Sequence, residues 1–186
     1  LHFSPGSVGK VPFYNRVQSN EIVNDLTVNN IYLSRVDWDA FETSWNFRYN
    51  PMYVVYRLGT PVLKSRSDSC SIVITNVDDL TDKNLFNCYQ EYKFYTNKVF
   101  GVLKYNEEEL NRIFIDIYGL QDELTPEVSD KDVTVASIFD SKEDIPESYK
   151  GNNYILTKED VIKNLISYAV GCLFGRYSLK KEGLIY

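Results

Sequence analysis

Leu85-Phe86-Asn87-Cys88-Tyr89-Gln90-Glu91-Tyr92-Lys93-Phe94-Tyr95-Thr96-Asn97-Lys98-Val99-Phe100-Gly101-Val102-Leu103 is the stretch that decides the fold. From Thr81 as far as Tyr105, Leu85, Cys88, Tyr89, Tyr92, Tyr95, Val99, Val102 and Leu103 recur mostly at steps of three and four, the spacing that lines one side of an α-helix. It is the longest amphipathic run in the chain. Gly101 weakens it locally, and Asn106 with Glu109 three residues on makes a capping-box-like start for a fresh helix. In that continuation Leu110, Ile113, Phe114 and Ile117 fall at i, i+3, i+4 and i+7, and Gly119 supplies a stop. The pattern over 81–119 fits two helices or one kinked helix equally well.

On the C-terminal side, Gln121 to Pro146 is acidic and turn-prone, with Val133-Thr134-Val135 as a short strand candidate. Thr157 then caps a further helix, with Asp160 answering from the N3 position. Val161, Ile162, Leu165, Ile166, Ala169, Val170, Leu173 and Phe174 cover nearly its whole circumference, which predicts a helix buried among others. Gly171 costs about 1 kcal/mol against Ala in a helix interior, so it predicts close approach by a neighbour.

On the N-terminal side, residues up to about 30 mix Pro5, Gly6, Gly9 and Pro12 with a β-favouring run at Val11–Tyr14, an irregular lead-in with one strand. Ser34 is placed to N-cap a short helix over Arg35–Ser44, with Asp37 and Asp39 suiting its positive end. Pro51 restricts Asn50 and reads as a turn. Tyr53-Val54-Val55-Tyr56 and Ser71-Ile72-Val73-Ile74-Thr75 read as strands, bounded by Gly59-Thr60-Pro61 and by Asp78-Asp79. The fold class expected is mainly α with minor β, a bundle-like helical spacer with a few short strands. Residues 1–80 form a mixed lead-in with the Trp-containing helix, and 81–186 a helical spacer domain with an acidic connection over 121–156.

At 186 residues and 44% hydrophobic content, the chain is long enough to bury one ordinary core. No run reaches the roughly 18 apolar residues that cross a bilayer, and the start Leu1-His2-Phe3-Ser4-Pro5-Gly6 has no signal-peptide pattern. Cytoplasmic residence is the expectation, and the lack of an initiator Met agrees with a fragment. Cys70, Cys88 and Cys172 are odd in number and read as free structural thiols in a reducing compartment.

Net charge is −6, which argues against a surface built wholly for phosphate. Asn106–Glu147 holds 13 acidic residues against 3 basic ones, a balance of −10 that leaves the rest of the chain at +4. DNA contacts therefore belong to the flanks, and the acidic stretch reads as a solvated, partly mobile face or one that meets a basic partner.

Catalytic signals are few. Asn50-Pro51-Met52-Tyr53 invites comparison with the Asn-Pro-Pro-Tyr loop that holds a flipped adenine, but Met52 stands where a second proline is needed. No Gly-rich loop follows a strand to cradle S-adenosylmethionine. His2 alone cannot build a triad, and the cysteines lack zinc spacing. The chain is expected to hold no catalytic, cofactor-binding or metal residues.

Three places remain for binding. Trp38 and Trp45, seven residues apart, would share one helix face, for stacking on a base or, more in keeping with the acids beside them, for packing on another domain. Arg176, Lys180 and Lys181 follow the last helix, where they complement its negative end and can grip a DNA backbone. Arg48, Arg57, Lys64 and Arg66 form a loose basic run.

Three strings stand out: Asp37-Trp38-Asp39-Ala40-Phe41-Glu42-Thr43-Ser44-Trp45-Asn46-Phe47, then Asn106 to Leu120, then Ser167 to Leu179. In that order they closely resemble the middle of PglX-type adenine-specific DNA methyltransferases, the modification enzymes of BREX phage-defence systems, and related restriction-modification methylases. Asn46 departs from the usual Asp of that family, Leu173 from the usual Met, and Ser137–Asn153 is longer than its common pattern. The resemblance implies a segment downstream of the methylase motifs that lies between them and target recognition. S-adenosylmethionine and DNA would be bound by the parent enzyme, with intramolecular domain contacts, other defence-system proteins as partners, and no membrane. Asp37, Trp38, Glu42, Trp45, Asn106, Glu109, Gly171 and Gly175 are its motif residues here, with structural roles. The competing expectation is a stand-alone, non-enzymatic helical module that binds a basic protein through Asn106–Glu147.

Overall fold

The computed structural model describes residues 20–66, 69–75 and 84–185, with only the backbone described at 60, 62–66 and 69–75. The strand expected at Val11–Tyr14, His2, the Asp78-Asp79 boundary and the helix start at Thr81 lie outside the described residues. So do the side chains of Lys64, Arg66 and Cys70.

Helix α1 spans Glu21–Trp38. Asn20 starts it, its carboxamide oxygen accepting from the Ile22 and Val23 amides at 3.1 and 3.3 Å. This corrects the short helix expected over Arg35–Ser44: Ser34 lies inside α1, and the chain beyond Trp38 runs in turns. The Ser44 hydroxyl donates to the Asp39 carboxylate at 2.5 Å and accepts from the Asn46 amide at 3.1 Å, local bonds that compete with a continued helix.

Tyr53-Val54-Val55-Tyr56 is helical, not a strand, within α2 (Pro51–Leu58). Asn50 caps it by accepting from the Met52 amide at 3.0 Å, and Pro51 occupies the first turn, where its missing N–H costs nothing. Met52 and Val55 are then buried one turn apart. Strands β1 (Thr60–Arg66) and β2 (Ser69–Thr75) form an antiparallel hairpin. The expected strand over Ser71–Thr75 is present, while Thr60 and Pro61 pair inside β1 instead of bounding it.

The periodic run becomes one continuous helix, α3 (Leu85–Tyr118), of 34 residues, about 50 Å long at 1.5 Å per residue. Asn84 caps it, and Gly119 ends it at φ 68°. Asn106 therefore starts no second helix. It is buried in the interior of α3, where its carboxamide donates to Asn30 of α1 at 2.8 Å, so its polar group links two helices instead of capping one.

After α3 the acidic stretch is packed. Val133 and Val135 are fully buried but lie outside any strand; the strand is β3 (Ser137–Phe139), parallel to β4 (Ile155–Thr157). Asn97 of α3 fixes it, accepting from the Ile138 amide at 2.7 Å and donating to the Ile138 carbonyl at 3.0 Å. Helix α4 (Lys158–Leu173) opens on the expected capping box between Thr157 and Asp160. It is not buried all round: Ile166, Val170, Leu173 and Phe174 are exposed. Strands β5 (Tyr177–Ser178) and β6 (Lys181–Leu184) pair antiparallel after it.

The described residues thus form a mainly α structure with minor β: four α-helices and three two-stranded sheets. Leu33, Val99, Phe100, Leu103, Val133 and Val135 make one core cluster, and Met52, Val55, Cys88, Tyr89, Tyr92, Ile138 and Val161 a second. Both lie against α3, and Tyr95 touches both. Phe47, Tyr168 and Tyr177 form a third.

Candidate functional site

Two of the three distinctive strings meet in the third cluster. Phe47, from the Trp-containing string, stands edge-on to Tyr168 and Tyr177 of the last string, with centroids 5.9 and 5.4 Å apart. The Tyr177 hydroxyl donates to Glu42 at 3.1 Å, and both burial and that carboxylate push the phenol upward in pKa. Burial also raises the Tyr168 phenol, with Cys172 beside it. Gly171 faces the Tyr177 ring so closely that a Cβ there would sit 2.6 Å from Cδ2; the close approach expected at this glycine comes from an aromatic ring. Gly175, at φ 75°, reverses the chain so that Tyr177 can fold back onto α4.

Asp37 at the end of α1 accepts from the Ala136 amide at 3.1 Å and ties the first string to the segment before β3. Burial raises its carboxyl to about 6, against the lowering effect of that amide bond. Asn106 belongs to the pair with Asn30, and Glu109 pairs with Arg112 one turn on. Asp37, Glu42, Asn106 and Glu109 thus each have a side-chain or backbone partner, and Gly171 and Gly175 sit at a close approach and a positive φ.

The tryptophans do not share a helix face, which corrects the spacing argument. Trp38 is the last residue of α1 and is 57% exposed, whereas Trp45 sits in the following turns and is 94% exposed. A cleft of about 880 Å³ opens beside Trp45, with Tyr32, Arg35, Asp39, Arg48 and Tyr92 among its other walls. Its walls hold Arg35 and Arg48 as well as Asp37, Asp39 and Glu182, so its electrostatic character is mixed.

The cations expected at DNA are spread over several elements. Arg57 lies in the last turn of helix α2. Arg48 pairs with Glu182 at 3.2 Å. Arg176 lies 3.9 Å from Glu42 and has its guanidinium 5.6 Å from the Tyr177 ring centroid. Lys180 and Lys181 are exposed at the β5–β6 turn, which the Tyr53 hydroxyl holds to α2 by donating to the Leu179 carbonyl at 2.9 Å. That bond ties α2 to the turn that carries Lys180.

The acidic stretch is anchored at a few of its carboxylates. Asp130 pairs with Lys104 at 2.5 Å and Asp140 with Lys93 at 2.7 Å. Glu108 accepts from the Val128 amide, and Asp144 from Ser141. The bonds of Asp130, Asp140 and Glu108 tie the segment to α3. Asp122, Glu123, Glu127, Asp132, Glu143, Asp144 and Glu147 are exposed, so the stretch packs on α3 through its apolar residues and presents a solvated acidic face, as its composition led one to expect. What composition could not reveal was Asn97, whose single side chain serves three groups of Ser137 and Ile138, and the Phe47–Tyr168–Tyr177 cluster, joined across some 130 residues. Cys88 is buried and Cys172 half-buried, both free thiols. Among the described residues no group of three or more His, Cys, Asp or Glu side chains converges as a metal site would, and no helix is long and apolar enough to cross a membrane.

No family model matches the chain. It is 36% identical to the adenine-specific methyltransferase PglX of Lacticaseibacillus casei (strain Zhang), an alignment that takes in 100% of this chain and 12% of that protein. It is 29% identical to the adenine-specific methyltransferase BrxX of Escherichia coli O9:H4 (strain HS), again over 100% of this chain and over 13% of the relative. The chain thus spans about an eighth of the length of these curated relatives. The strings that meet around Tyr177 lie inside both alignments, and over its whole length the chain is similar to one segment of the adenine-specific methyltransferases PglX and BrxX.

Proposed function

We propose that the chain is a non-catalytic helical part of an S-adenosylmethionine-dependent, adenine-specific DNA methyltransferase of a phage-defence or restriction-modification system. In that polypeptide it holds the methylase and target-recognition parts in register. The observation that carries this reading is the end-to-end alignment with one eighth of PglX. The architecture supports it physically: a 34-residue helix with core packed along it is a stiff strut about 50 Å long, suited to setting a distance between domains. S-adenosylmethionine is held elsewhere in the parent enzyme. Arg176, Lys180, Lys181, Arg48 and Arg57 add peripheral contacts to DNA phosphates, which fix position without reading sequence.

Calorimetry on the purified chain tests both halves of the proposal. We expect no heat of binding with S-adenosylmethionine, and weak, salt-sensitive binding of duplex DNA at low salt that falls in R176A/K180A/K181A. Binding of the cofactor by the chain alone overturns the non-catalytic assignment. Absence of any DNA binding leaves the positioning role and removes the phosphate contacts.

A further inference from the structure

Helix α4 is apolar on two opposite faces. Val161, Tyr168 and Gly171 are buried against the molecule, while Ile166, Val170, Leu173 and Phe174 are 57, 43, 86 and 86% exposed. The exposed four stand at i, i+4, i+7 and i+8, one continuous stripe at helical spacing. A leucine and a phenylalanine side by side in water are unusual at the end of a well-capped helix. Contiguous apolar surface of a few hundred Å² is the scale at which a patch marks a contact site.

We infer that this stripe is the docking face for another part of the same methylase polypeptide, outside these residues. The inference rests on reading the chain as one part of such an enzyme. Seven eighths of each relative's length lies outside the matched region, so a large tethered partner is at hand. The stripe is small for two free molecules, since stable interfaces bury about 800 Å² on each side. A tethered contact needs less, because the linker supplies the effective concentration, and contacts between domains of one chain go as low as about 600 Å² in total. Chemistry sets the complement: an apolar helix face that takes Leu173 and Phe174 at its centre.

Hydroxyl-radical footprinting of the full polypeptide and of the 186-residue chain tests this. Modification of Leu173 and Phe174 should be at least five-fold slower in the full polypeptide. L173E/F174E should leave the melting temperature of the chain unchanged, since both side chains are in water there, yet raise the rate of limited proteolysis between domains of the full polypeptide at least five-fold. Equal footprinting rates in the two forms overturn the docking face. So does a chain that is dimeric in sedimentation and becomes monomeric in L173E/F174E, which would make the occupant a second copy. Adenine methylation by the full polypeptide is scored separately: its absence alongside a protected stripe sinks the methylase reading and not the contact.

Discussion

A Cβ at position 171 would meet the Tyr177 ring at 2.6 Å from Cδ2 and 2.9 Å from Cε2. The ring has no room to retreat, because Phe47 and Tyr168 flank it and its hydroxyl is held by Glu42. Gly171→Ala should therefore destabilise by about 1–3 kcal/mol through overpacking, although alanine is the better helix former by about 1 kcal/mol; a urea midpoint above the parent's would refute the clash. Asp37 carries the other residue-scale consequence. Its folded carboxyl titrates at about 6 against an ordinary 3.8, so the folded state binds a proton more tightly than the unfolded chain does. That contribution is fully present below the unfolded value and is lost as pH rises through about 6, on the order of 1–3 kcal/mol in all. Asp37→Asn keeps an oxygen for the Ala136 amide and removes the buried charge. It should be the more stable protein at pH 8 by about 1–2 kcal/mol and show a flatter stability profile between pH 4 and 7. Equal slopes for the two proteins in urea titrations across that range would mean another group titrates.

Among the elements, those with long periodic patterns were readable and those that hinged on short runs were not. Helix α4 starts where Thr157 and Asp160 say it must, and the α3 pattern persists from Leu85 to Tyr118. Residues 53–56 misled because four β-branched or aromatic residues are compatible with either period. The deciding information lay upstream, in Asn50 as cap and Pro51 at the first helical position. Helix α1 was hidden for a different reason: it buries only Val23 and Leu33, too little apolar surface to print a stripe on an asparagine-rich segment. Asn106 imitated a helix start because asparagine serves caps and interhelical pairs with the same carboxamide. Gly101 also misled as a breaker. A Cβ there meets nothing within 4 Å, so Gly101→Ala should stabilise by about 1 kcal/mol and raise the melting temperature by a few degrees. A lower melting temperature would show that α3 needs its local give.

For the molecule as a whole, the question is whether clusters strung along a helix about 50 Å long unfold together. The first cluster joins α1 and Val133/Val135 to α3, the second joins α2, Ile138 and Val161 to the same helix, and Tyr95 packs against both. Asn97 clamps β3 to α3 between them. The aromatic cluster has its own links to the second, since Tyr53 of α2 stacks near Tyr168 of α4 at 6.1 Å. No described cluster can dissolve without exposing apolar surface on an element that another cluster needs. Leu103→Ala removes a fully buried side chain from the first cluster and should cost about 2–5 kcal/mol. If the packing is cooperative, the loss appears at distant places with one midpoint. Denaturant curves followed by the fluorescence of Trp38, at the end of the helix that carries Leu33 of the first cluster, in a Trp45→Phe background, and by amide exchange around Tyr168, in the third, should shift by the same amount in Leu103→Ala. A tryptophan midpoint that moves while the Tyr168 amides keep theirs would mean that α4 and the aromatic cluster fold as a separate unit, and that α3 transmits no stability along its length.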